Sequence, residues 1–554
     1  MIYRKEPRQI LLFDRVEEIL HPKAQARLDG DWPGVFRRAI LQLMPVDRLG
    51  EDFSYDFGRP TKEHYSICGL ILLKDYFGWT NEDTIDKYLY DLKVQYALKI
   101  QPDNLQFGIR TLERYLKLFR EKELAQKIMD DVTVMIIKEL NIEVDKQRLD
   151  STHVFSNMAC WSRSMLLFKT IRRFMVQVKR HESRLYEELD RDLREHYESQ
   201  GTWIYGDVKM RNIRYGQHIC SNHEQLAWDM LRLIERFEKH PKLSNMNTFK
   251  DMVRIFGEQC EIDDGKVKIR KHPGGKALIN PSDPDASIDN KGVGYQVQIS
   301  ETYNPENPVQ IITAALPQTA SESDQNAVSP MLEKMEDAGA KPEILLADSG
   351  YGSDENVVTS AKKDVKLIAP ATGKDAGKVG LEECELDSEQ RIIKCPLGRH
   401  PLFKKFDGEK GRAVFAADVC GSCRMLKQCS SSKNGKNYAI TYDARSLRLR
   451  ERRLHEKTDE FREDYRMRSG EEALFGRLKQ FTPLRRLGVR GKNAVYNAIY
   501  SITAVHNIMQ MAGFYKKQQP KKQKMTENKP ETDFFTTVFG RIFQLLACEQ
   551  QMAA

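Results

Sequence analysis

The sequence predicts an α/β protein: an all-α N-terminal region, then a mixed-sheet domain carrying one helical and one cysteine-containing insertion. Three observations carry that expectation. Strand-like apolar runs lead into Asp150 (from Ile142) and Asp348 (from Glu343), and a strand pair lies between them. Helical periodicity fills residues 1 to about 130 and returns after Asp150. The 554 residues also exceed one unit of ~100–200 residues, so several folded units are expected. With 40% hydrophobic and 9% aromatic residues, the composition supplies real cores and excludes mainly disordered, collagen-like and low-complexity classes.

The elements follow in order. Residues 1–135 read as helical: Tyr65 to Phe77 is strongly apolar, Thr80 and Asp83 have capping-box spacing, and Ile109 to Phe119 repeats apolar residues at helical steps. This region reads equally as a DNA-binding domain or a plain helical bundle. Residues 136–515 form the expected catalytic unit. A strand from Ile142 ends in Leu149-Asp150-Ser151-Thr152, and 154–260 reads as a helical insertion, with Leu167, Ile171, Phe174 and Val178, then Leu226, Met230, Leu233 and Phe237, on helical faces. Gly294–Glu301 and Val309–Leu316 pair across a Pro/Asn turn as a hairpin, a helix spans Glu322–Ala338, and a buried strand delivers Asp348 to Ser349-Gly350-Tyr351-Gly352. A short strand at Val365–Ala369 precedes a cysteine-containing insertion at 371–443, and basic helices run from Ser446 to Phe514. Residues 516–532 read as a flexible basic linker and 533–554 as an amphipathic helix that folds back or dimerises.

Charge is local. The chain has 88 Lys+Arg and 80 Asp+Glu, a net +8, and between Arg445 and Lys492 there are 15 basic and 8 acidic residues, a surplus of 15 − 8 = 7. Such a concentration beside carboxylates suggests a polyanionic partner. Ten cysteines are too few for a secreted disulfide scaffold, the N-terminus is charged, and no apolar stretch approaches the ~20 residues of a membrane span, so a reducing, cytoplasmic setting is expected. Four cysteines, Cys395, Cys420, Cys423 and Cys429, fall within 35 residues, where even scatter gives 10 × 35/554, under one. Cys420-x-x-Cys423 is a chelating pair, and the four read either as a structural Zn²⁺ site without a catalytic role or as free thiols.

The chemistry centres on three acids. If Tyr465 to Lys479 is helical, Tyr465, Arg468, Glu472 and Lys479 lie within about 60° of one another around its axis. Alone, that polar stripe reads as a solvated face. With Asp150 and Asp348 on separate elements it reads as a site, because three carboxylates can hold two hard divalent ions, Mg²⁺ or Mn²⁺, for phosphodiester chemistry. Arg468 and Lys479 would then grip phosphates and Tyr465 would meet DNA near the reactive end. His153 reads as a packing histidine, and Asp283, Asp285 and Asp289 as turn formers.

The spacing Tyr465, Arg468, Glu472, Lys479 resembles the Y(2)R(3)E(6)K signature of bacterial insertion-sequence DDE transposases. Leu149-Asp150-Ser151-Thr152 and Leu346-Ala347-Asp348-Ser349-Gly350-Tyr351 resemble that family's first and second aspartate motifs, so the likeness covers roughly 140 to 510. The resemblance implies an RNase H-like fold with Asp150, Asp348 and Glu472 as a metal-binding catalytic triad. It further implies binding to the terminal inverted repeats of the chain's own element, cleavage and transfer into target DNA, at least two protomers at the paired ends, and a place at the bacterial nucleoid. The acids are 198 and 124 residues apart, so both gaps hold insertions, and Glu471 beside Glu472 leaves a one-residue ambiguity that the helical face resolves toward Glu472. Two alternatives stay open: a structure-selective nuclease with the same acids, which would not join a pre-cleaved 3′ end to a second duplex, and an inactive transposase-derived DNA-binding protein.

Overall fold

The computed structural model describes residues 7, 13–102, 106–159, 161–198, 217–263, 266–373 and 379–518. The expected C-terminal helix at 533–554 and nearly all of the basic linker lie outside them. No helix among the described residues is long and apolar enough to cross a membrane.

Helices α1 (His64–Phe77), α2 (Ile109–Glu121) and α3 (Leu124–Leu140) dominate the N-terminal region. An amphipathic helix buries one stripe, but α1 is apolar nearly all round and therefore sits inside, with Ile67, Leu70, Leu72 and Leu73 fully buried. The Thr80–Asp83 capping box forms as read and starts the helix Asn81–Tyr90.

Strand β1 (Lys146–Val154) follows. It runs past the expected end at Asp150, because Ser151, Thr152 and His153 continue to pair with the neighbouring strand; Asp150 is therefore a mid-strand residue. The helical insertion comes next, with α4 (Arg163–His181), α5 (Gln217–Phe237) and α6 (Asn247–Gln259). Leu167, Ile171, Phe174, Val178, Met230, Leu233 and Phe237 close a core of its own.

The sheet is completed by β2 (Ser287–Asp289), β3 (Gly292–Thr302), β4 (Ile312–Thr319), β5 (Ile344–Ala347) and β6 (Lys366–Ile368), with α7 (Val328–Asp337) before β5 and α8 (Asp354–Lys362) before β6. Its order is β2-β3-β1-β5-β6, with β4 also on β3. β1 is antiparallel to β3 and parallel to β5, and β5 is parallel to β6. The register pairs Leu149 with Ala347, which brings Asp150 and Asp348 to neighbouring positions on adjacent strands.

In the cysteine-containing lobe, β7 (Phe403–Phe406), β8 (Lys410–Phe415), β9 (Ser432–Asn434) and β10 (Asn437–Asp443) form an antiparallel sheet in the order β7-β8-β10-β9. Then come α9 (Ala444–His455), α10 (Asp459–Arg466), α11 (Gly470–Phe481) and α12 (Lys492–Gln518). One core joins the N-terminal helices to α12 and the sheet, through residues such as Ile71, Leu116, Ile136, Ile299, Ile502 and Val505. Buried Asn507 on α12 donates to the Ile312 carbonyl at 2.7 Å and accepts from its amide at 2.9 Å, stitching the helix to β4. Lys516 and Lys517, read as the start of the linker, belong to the last turn of α12, which persists because Tyr515 is buried and donates to Glu139 Oε1 at 3.0 Å.

The start of α11 is docked by buried charge. Arg148 on β1 donates from Nε to Glu301 Oε2 on β3 at 3.0 Å and from Nη1 to the Met467 carbonyl at 3.1 Å, and its Nε lies 3.9 Å from Glu471 Oε1. Glu301 and Glu471 are both fully buried, and Arg477 Nη2 stands 3.6 Å from Glu301 Oε1. Gly470 lets α11 come this close, since a Cβ there would lie 1.7 Å from Arg148 Nη1. Breaking a buried ionic group by removing one partner is far costlier than replacing it whole with apolar residues. Arg148→Met is therefore expected to destabilise the protein by about 3–5 kcal/mol in urea unfolding. The triple variant Arg148→Met, Glu301→Leu, Glu471→Leu should recover most of that loss; if it is no more stable than the single variant, the cost does not arise from stranded charge.

Candidate active site

Asp150 and Asp348 reach one point from different directions. Asp150 projects from the middle of β1, while Asp348 directly follows β5 and caps the short 3₁₀ turn Ser349–Tyr351, its Oδ1 accepting from the Gly350 amide at 2.7 Å. Between them stands Arg468, whose Nη2 is 2.6 Å from Asp150 Oδ2 and 3.9 Å from Asp348 Oδ2. Burial pushes the Asp150 carboxyl above the usual carboxylate range, the Ser151 amide and Arg468 work against that rise, and Asp348 adds to it. The Arg468 guanidinium offsets part of the repulsion between the two carboxylates.

The segment from Tyr465 to Lys479 is not the single α-helix assumed from the spacing. α10 ends at Arg466, a 3₁₀ turn covers Met467–Ser469, and α11 begins at Gly470. The turn aims Arg468 at the aspartates. Tyr465 stacks on Phe461, with ring centroids 5.4 Å apart and planes at 14°, and burial raises its phenol. The adjacent glutamates point opposite ways: Glu471 faces inward over Arg148 and Glu301, and Glu472 is exposed on the solvent side of α11. Burial, then Glu301, push the Glu471 carboxyl far above its usual range, against Arg148. Lys479 is exposed at the end of α11.

The structure thus pairs Asp150 with Arg468, sets Asp348 3.9 Å from the same guanidinium, and places Tyr465 and Lys479 within the field of the aspartates, while Glu472 stands exposed on α11. Among the described residues, no three His, Cys, Asp or Glu side chains converge into a ready-made metal cage. The donors nevertheless suit a hard divalent ion: two carboxylates from adjacent strands already gather positive charge between them. Reasoning from the sequence missed Arg148, Glu301 and the inward role of Glu471. Arg148 shares its strand face with Asp150 two residues on, which is the one signal that pointed to it.

The remaining candidates separate. His153 is buried, its ring against Phe155 with centroids 4.5 Å apart, its Nδ1 3.6 Å from Asp289 Oδ1. Asp289 accepts from the Lys291 and Gly292 amides as a turn former. Asp283 is instead a buried acceptor for Ser156 at 2.7 Å and Tyr295 at 2.5 Å. In the cysteine lobe, Cys395, Cys420, Cys423 and Cys429 are free thiols that line one apolar cavity of about 30 Å³ with Val379, Phe415 and Ile440. Much of the local positive charge proves structural: Arg448 holds Asp354 at 2.6 Å, Arg453 holds Glu382 at 3.2 Å, and Arg452 donates to the Gly352 and Ala369 carbonyls.

Residues 394–512 match the family model of a transposase DDE domain. That match supports a DDE transposase. It spans about a fifth of the chain, from the first clustered cysteine through Tyr465, Arg468, Glu472 and Lys479 into α12, and leaves Asp150 and Asp348 outside. A transposase domain implies DNA as partner, and such domains generally use divalent metals. No curated protein and no solved structure matches the chain.

If a metal cation binds the two aspartates, Arg468, paired with Asp150 and 3.9 Å from Asp348, would compete with it. Arg468→Ala is expected to strengthen Mn²⁺ binding several-fold, read from free Mn²⁺ by electron paramagnetic resonance. Unchanged or weaker binding would mean that the guanidinium does not occupy the cation's place.

Proposed function

We propose that the chain is a DDE transposase, with an RNase H-like catalytic domain, that cuts the ends of its own DNA element and joins them to target DNA. The observation that carries the reading is the meeting of Asp150 and Asp348, 198 residues apart, around Arg468 from the segment that matches a transposase domain. A sheet of antiparallel strands continued by two parallel ones, with the acids on the central pair, supports the RNase H-like reading. Glu472 is the third acid in this proposal. Glu471 is sealed against Arg148, whereas a group that meets metal and DNA together must open to solvent, as Glu472 does.

Asp150, Asp348 and Glu472 would hold Mg²⁺ or Mn²⁺ as hard oxygen donors. Bound there, the ions would supply Lewis acidity for activating a water or 3′-hydroxyl and for steadying the leaving oxygen. Arg468, released toward the DNA, and Lys479 would neutralise phosphate, and Tyr465 would sit at the reactive end. Synapsis of two element ends requires at least two protomers in this reading. In the lobe, the four thiols line one cavity without yet converging on a point, and a structural Zn²⁺, which prefers sulfur donors and needs no open position, would draw them together.

Cleavage of a duplex carrying the element's boundary should depend on Mg²⁺ and vanish in EDTA. Asp150→Ala, Asp348→Ala and Glu472→Ala should each abolish nicking while DNA binding persists, and Glu471→Gln should retain it. Nicking that survives in any of the three alanine variants would remove that residue from the triad. The purified chain should also carry about one zinc per molecule by metal analysis. Cys423→Ser should lose it, and a metal-free wild type would end the zinc assignment.

A further inference from the structure

Three cationic side chains stand beside the candidate active site, and among the described residues none of them forms an ion pair. Lys291 lies at the tip of the β2–β3 hairpin. Gly292 packs that tip on Phe155, just beyond β1; a Cβ there would meet the ring at 2.9 Å, and φ is +138°. Arg485 ends the 3₁₀ turn Pro483–Arg485, and its carbonyl accepts from the Phe155 amide at 3.1 Å, so the same residue anchors it from the other side. Lys479 stands in the last turn of α11, its Nζ 6.0 Å from the Phe475 ring centroid. All three are exposed, and among the described residues none has an acidic side chain within 4 Å.

Their closeness shows in their electrostatics. Burial, then Lys291 and Arg485, hold the Lys479 amine below the usual lysine range, while Asp150 pulls it back up. Lys291 also disfavours charge on His153. The cluster thus touches the field of the catalytic acid at one end and closes on Phe155 at the other. Five residues of extended chain separate Asp150 from Phe155, so the two ends of the cluster stand about 16 Å apart. Unanswered like charges fixed this close repel one another, and a polyanion threaded between them removes the penalty.

We propose that Lys291, Lys479 and Arg485 form a phosphate-binding cleft that holds the DNA backbone beside the Asp150–Asp348 site, on the side where the hairpin tip and the turn after α11 meet Phe155. The proposal rests on the transposase reading and adds where the substrate backbone is held, including two residues, Lys291 and Arg485, outside the Tyr/Arg/Glu/Lys motif. Contacts of this kind carry no base information, so the cleft positions DNA without choosing its sequence.

The test is lysine footprinting of the full chain by acetylation and mass spectrometry, with and without a short fluorescein-labelled duplex whose binding is followed by anisotropy. Lys291 and Lys479 should become protected, while Lys436, exposed on the cysteine lobe, stays reactive. Lys291→Gln and Arg485→Gln should each lower the slope of log affinity against log salt by about one. If the duplex binds and Lys291 and Lys479 react as fast as before, the cleft is wrong and the transposase reading survives. If no duplex binds at all, both fall together.

Discussion

The guanidinium of Arg148 is the contact on which the candidate site depends. It lies on β1 two residues before Asp150, grips Glu301 on β3 and the Met467 carbonyl, and faces Glu471 at the start of α11. The turn carrying Arg468 and the helix carrying Glu472 are thereby tied to the strand that carries Asp150. Burying charge costs desolvation that the ion pairs only partly offset, so an apolar packing of the same shape could hold the parts as firmly. What the directional contacts add is a defined start for α11, and with it the opposite facing of Glu471 and Glu472.

The two long sequence gaps between the acids coexist with their closeness because the insertions are self-contained. The helical insertion closes its own core around Phe174, Met230 and Phe237, and the cysteine lobe does the same around Ile392, Phe415 and Ile440. The residues of these two cores are separate from those that pack on the central sheet. Closing a longer loop costs only slowly more, about 0.6 kcal/mol per doubling of its length, so β5 can pair with β1 despite the intervening chain.

Positive charge divides into two jobs that composition alone does not separate. Four arginines of α9, Arg448, Arg450, Arg452 and Arg453, are consumed in the fold by Asp354, Glu382 and backbone carbonyls. Around α11, Arg468 and Arg477 are engaged by Asp150 and Glu301, whereas Lys479 and, in the turn after it, Arg485 are exposed.

The sequence by itself determined the class of each element, because apolar periodicity is a local property: the N-terminal helices, the β3–β4 hairpin and the strand before Asp348 lie close to where alternation and helical spacing put them. It also determined which acids to watch, since Asp150 and Asp348 stand in short, recognisable surroundings. The tertiary structure alone decided what those residues touch. Asp150 proved mid-strand because pairing with β3 carries Ser151 to Val154 onward, which no local pattern records. The Tyr465–Lys479 segment broke at Met467–Ser469, where Arg148, distant in sequence, takes the Met467 carbonyl. Lys291 and Arg485 carried no signal at all, for their meaning is proximity to Phe155 and Lys479, and proximity between residues far apart in sequence exists only once the chain has folded.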